Sequence, residues 1–164
     1  KMIFRITSHF NPNSILQIGT SHGICSKALL SVTSTSHLYS YLGVGHHRKI
    51  YESVTSGLNH RISKYEDINN AINDYNSTLT SPEKAFVIIN HIDKGGNIIL
   101  DTASNAIKNG GVVIVCNINH SKHIKNLWTE IKSTMTHGMS FSNDKIGIIV
   151  GLKHLPLQHF SLWF

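Results

Sequence analysis

The sequence predicts an α/β protein: a doubly wound, mostly parallel sheet of seven strands with an antiparallel last strand. Three observations lead there. Short apolar runs alternate with stretches of helical periodicity along the chain. The first run, Ile15 to Ile18, turns through Gly19-Thr20-Ser21-His22-Gly23 directly into a helical pattern. The last two runs, Ile146 to Gly151 and His159 to Phe164, are joined by a loop with Pro156 that leaves no room for a helix, so they are expected to pair antiparallel.

Taken in order, Ile15 to Ile18 reads as a buried parallel strand and Ser26 to Val32 as the helix after it. His37 to Val44, rich in aromatic and branched residues, is a second strand. His46 to Leu58 has helical spacing at Ile50, Val54 and Leu58, with a stop at Gly57. Arg61 to Tyr65 is a weaker strand, and Ile68, Ala71, Ile72 and Tyr75 mark one face of a helix. Lys84 to Ile89 is the clearest central strand. Asn97 to Lys108 is a helix stopped by Asn109-Gly110-Gly111, and Gly111 to Cys116 is another buried strand. Ser121 is placed to cap a helix whose apolar stripe is Ile124, Leu127, Trp128 and Ile131.

The 164 residues suit one domain. No apolar run approaches the length of a membrane span, and the opening Lys1-Met2-Ile3-Phe4-Arg5 lacks the features of a signal peptide. Cys25 and Cys116 lie in apolar segments and read as buried thiols, in keeping with a reducing cytoplasm. The net charge is +6, but the basic residues are scattered without a run, so neither nucleic acid nor membrane is an expected partner.

The turn after the first strand resembles the first motif of class I S-adenosylmethionine (SAM)-dependent methyltransferases, a Rossmann-like family in which an acid ends the strand and the pattern E/D-x-G-x-G-x-G follows. Here it reads Gln17-Ile18-Gly19-Thr20-Ser21-His22-Gly23, with the outer glycines kept, Gln17 in place of the acid and Ser21 in place of the middle glycine. The ending Leu157-Gln158-His159-Phe160 is similar to that of small bacterial O-methyltransferase-like proteins. The resemblance covers Ile15 to Phe164 and implies a single methyltransferase-like domain over 1–164, without the helical segment that relatives carry before the first strand. It implies SAM as cofactor and a small-molecule methyl acceptor as partner, with a homodimer left open.

The same resemblance assigns positions. Gln17, Gly19, Ser21 and Gly23 fall at the methionine end of the cofactor. Gly45 falls where the family places the acid that binds the ribose hydroxyls. Glu66 and Asp67 match the segment beside the adenine, and Asn90 stands where the family has an Asp. Read on the residues alone, the glycines equally make a tight turn, and Glu66 and Asp67 equally make a helix start. Magnesium wants carboxylate oxygens, whereas Asn90, Asn117 and Asn119 supply neutral amides, so no metal is expected. His120 and His123 near His91 are the softer-metal alternative, but no CxxC or HExxH pattern accompanies the 12 histidines. His91 and His120 are the candidates for a general base.

Two functions stay open: an O-methyltransferase-like enzyme, and a non-catalytic member, or pseudoenzyme, that keeps the fold as a binding module. The shared loss of acids at Gln17, Gly45, Asn90 and Asn117 favours the second. A crevice blocked by His22, His46 or His47 would also favour it.

Overall fold

In the computed structural model, which describes residues 2–19, 22–43, 47–92 and 95–162, helices flank both faces of one sheet. The elements run α1 (Met2–Phe10), β1 (Ser14–Ile18), α2 (Ile24–Leu30), β2 (His37–Tyr41), α3 (Arg48–Val54), β3 (Ile62–Tyr65) and α4 (Ile68–Thr78). They continue with β4 (Phe86–Ile89), α5 (Gly96–Lys108), β5 (Val112–Cys116), α6 (Lys122–Ser133), β6 (Met139–Ser142), β7 (Ile146–Val150) and β8 (Gln158–Ser161). The strand order is β3-β2-β1-β4-β5-β7-β6-β8. The first five strands are parallel, and β7 lies antiparallel to both β5 and β6.

The period of two along each strand divides the core. Leu16, Ile18, Val87, Ile89, Val113 and Val115 face α4, α5 and α6. Ile15, Ile88, Val112 and Ile114 face the other way, toward α1 and α2. The stripe Ile124, Leu127, Trp128 and Ile131 is buried as its spacing requires, and Ser121 caps α6 by accepting from the Ile124 N–H. On the opposite layer, Arg61 ties the β2 and β3 edge to the α2 exit. Its guanidinium donates to the Ser36 carbonyl at 2.9 Å and the Leu30 carbonyl at 3.0 Å, and also to Thr33 O. Arg61→Met should lower stability by about 2 kcal/mol, because charge-assisted bonds to partly buried carbonyls are lost. A shift of the urea midpoint at unchanged slope would record it; an unmoved midpoint would mean that water replaces the guanidinium freely.

Three features go beyond the sequence expectation. A helix, α1, precedes β1 and packs Met2, Ile3, Ile6 and Phe10 on the second core layer. The sheet has an eighth strand, β6, and the antiparallel hairpin is β6–β7. The C-terminal strand pairs with β6 in parallel, rather than with β7 antiparallel. The loop from β7 passes beneath the start of β6: Gly138 N–H donates to Leu155 O, and Gln158 N–H donates to Gly138 O. Gly138 (φ +86°) makes this passage possible, since a Cβ there would meet Val150 O at 2.5 Å.

Candidate functional site

Strand order reverses direction at β1, whose neighbours are β2 and β4. In open parallel sheets the crevice outside the carboxyl ends at such a point receives ligands. Gln17 is the next-to-last residue of β1 and is 1% exposed. Its Oε1 accepts a 2.6 Å hydrogen bond from Ser26 Oγ on α2. The carboxamide therefore pins the start of α2 to β1 from within the core.

Gly19 has φ +72°, and its Cα lies against the chain after β4: a Cβ would meet His91 O at 2.3 Å. Asn90 N–H donates to Ile18 O at 2.9 Å, which fixes that approach. Gly23 (φ +79°) is pressed on α3, where a Cβ would meet Tyr51 Cδ2 and Thr55 Cγ2 at 3.1 Å. Both glycines are thus required by chain packing at the turn. Thr20, Ser21, Gly45 and His46 lie outside the described residues.

The acids kept after β3 are engaged. Glu66 accepts from Arg48 Nη1 at 3.2 Å, and the same guanidinium reaches Glu52 at 3.2 Å. Asp67 caps α4 by accepting from the Asn70 N–H at 3.0 Å. The rings of His22 and His47 stack at 5.0 Å with 10° between their planes, joining the connections that follow β1 and β2. Both are exposed.

After β4, the Asn90 side chain bonds the Cys25 thiol, and His91 is exposed. After β5, Asn117 turns through φ +55° and its carbonyl accepts from His120 N–H at 2.8 Å. His120 and His123 are exposed. Among the described residues no group of three or more His, Cys, Asp or Glu is placed to hold a metal ion. Gln17, Glu66, Asp67 and Asn90 each have a partner within the chain.

The fold as a whole agrees with solved methyltransferases. An O-methyltransferase from Bacillus cereus, in complex with SAH, is 17% identical with a TM-score of 0.61, covering 91% of this chain and 79% of that one. The chain has the class I methyltransferase fold. The O-methyltransferase TomG from Streptomyces achromogenes, involved in tomaymycin synthesis and in complex with SAM, is 14% identical with a TM-score of 0.64, covering 91% and 77%. A methyltransferase from Geobacter sulfurreducens is 9% identical with a TM-score of 0.68, covering 92% and 76%. No protein-family model and no curated protein matches the sequence. No described helix is long and apolar enough to cross a membrane.

Within this methyltransferase fold, the two thiols pack on the α1–α2 layer of the core. Burial pushes Cys25 up to about 11, with the Asn90 bond opposing it. Burial, then the charge of Cys25, pushes Cys116 up to about 12. The unfolded chain ionises them near 9.0, where the folded chain still holds both protons. Above that pH the unfolded state binds fewer protons, so stability falls as pH rises. The melting temperature should drop between pH 9 and 11, and Cys116→Ala should flatten the drop; an identical slope in the variant would refute the assignment.

The sequence reading did not single out a second cleft, of about 790 Å³, beyond the end of β5. Of its three lysines, Lys145 is remote in sequence from the other two, and only the i, i+7 spacing of Lys125 and Lys132 on α6 hinted at a shared face.

Proposed function

We propose that this chain is a SAM-dependent, O-methyltransferase-like protein in degenerate form, with a crevice that receives the cofactor through backbone and neutral groups and holds it weakly. The observation that carries the reading is the left-handed turn at Gly19, set at the switch point of a sheet with the methyltransferase strand order. On this reading the acceptor is a small molecule, and the protein works in a bacterial cytoplasm without a metal. SAM supplies the methyl group, and the chain's part is to position an oxygen nucleophile in line with it. His91 and His120, exposed beyond β4 and β5, are the candidates on this reading for taking a proton from that nucleophile.

The test is calorimetric titration with SAM and with its product SAH. Micromolar binding of either supports a working crevice; no heat at millimolar ligand overturns it. Gly45→Asp returns the ribose-binding carboxylate and should tighten SAM about tenfold, as one charge-assisted contact does. Gln17→Glu is the poorer repair, since it places a carboxylate where the Ser26 hydroxyl now serves a buried neutral amide.

A second reading, a non-catalytic binding module, is favoured by the stacked His22 and His47 and by the internal commitment of Gln17, Glu66 and Asn90. Alanine at both histidines separates the two. If the imidazoles merely obstruct a working crevice, SAM binding strengthens. If the crevice no longer serves SAM, binding stays absent.

A further inference from the structure

The cleft beyond β5 has a charge imbalance that the fold does not explain. It is bounded by α6, the β6–β7 turn, β8 and the start of α1. Lys125 and Lys132 enter it from α6, one turn either side of Trp128, and Lys145 enters from the β6–β7 turn. Among the described residues none of the three forms an ion pair. Lys132 Nζ is held 5.6 Å from the centre of the Trp128 ring, a contact that positions the charge without neutralising it. Asp144 is the one acid in the lining. The apolar part comes from Met2, Ile3, Ile118, Trp128 and Leu162.

Gathered cations with one opposing acid raise the local potential and attract an anion. The cleft's volume falls in the range of about 300–1,000 Å³ typical of small-molecule sites. Apolar walls beside cationic groups suit a molecule with an apolar body and an anionic head. We propose that this cleft binds an amphipathic carboxylate, its head at Lys125 and Lys145 and its chain against Trp128 and the α1 end. The assignment stands whether or not the other crevice binds SAM. If it does, this ligand is the natural candidate for the acceptor.

The probe is decanoate, with decanol as the uncharged control, titrated by calorimetry into the full chain without SAM. Decanoate should bind at least about tenfold more tightly than decanol, and the difference should shrink as salt rises. The pair Lys125→Glu with Lys145→Glu, both exposed, should weaken decanoate about tenfold or more and leave decanol unchanged. Asp144→Asn should tighten decanoate, a gain that misfolding cannot imitate. Equal binding of the two probes, no binding of decanoate, or indifference to all three substitutions would overturn the proposal.

Discussion

Gly19→Ala is expected to cost about 3 kcal/mol and to loosen the turn at the switch point. Two effects add. A non-glycine residue at φ +72° pays about 1–2 kcal/mol for the left-handed conformation. The new Cβ would also sit 2.3 Å from His91 O, a backbone atom held in place by the Asn90–Ile18 bond. Overpacking of that kind costs about 1–3 kcal/mol. Gly57→Ala is the control, because Gly57 has φ +83° but nothing within 4 Å of its Cβ position. Urea melts of the two variants isolate the clash. If they lose stability equally, the chains after β1 and β4 are not in close contact.

Trp128→Ala should be costlier still, about 3–5 kcal/mol, as for large aromatic truncations in a core. The ring is 5% exposed and covers Gly147 on β7, where a Cβ would meet its atoms at 2.7 Å. Gly147→Ala alone is therefore also destabilising. Combined with Trp128→Leu, which vacates part of that space, the alanine should cost less than it does alone. Such a double-mutant cycle reads a coupling that an expanded, independently packed site would lack. Strict additivity in denaturant melts would show that the ring and the glycine do not share their space.

The parallel half of the sheet was legible because its strands are buried on both faces and so are apolar along their length, as in Phe86–Ile89 and Val112–Cys116. The α6 stripe and its Ser121 cap were legible for the same kind of reason: one periodicity and one side-chain chemistry decide them locally. β6 was not, because Met139-Ser140-Phe141-Ser142 owes its extended form to partners on both sides rather than to its own composition. The pairing of β8 was hidden too, since a short loop fixes a reversal of direction without naming the strand it returns beside. α1 did carry a signal, with Met2, Ile3, Ile6 and Phe10 on one side, in a segment too short to assign with assurance from propensity.

At the candidate site the sequence revealed which positions lack acids, and could not reveal where the remaining polar groups turn. Gln17 looks toward α2 because Ser26 lies nine residues on, in the first turn of that helix. Glu66 meets Arg48 only because β2 and β3 lie side by side. The stack of His22 on His47 likewise needs two connections to meet above neighbouring strands.

The route taken by β8 also decides which strand forms the edge of the sheet. Without β8, β6 would present a row of unpaired amides and carbonyls on the side away from β7. The connection beneath Gly138 delivers β8 to that open side, where Phe160 stacks on Phe141 and the Ser140 hydroxyl shares a 2.7 Å hydrogen bond with His159 Nδ1. β8 thus covers the side of β6 and itself becomes the edge of the sheet, and a strand only four residues long offers another chain little to pair with. All four of its residues are exposed, so the closure rests mainly on backbone bonds and would be among the first parts of the sheet to open.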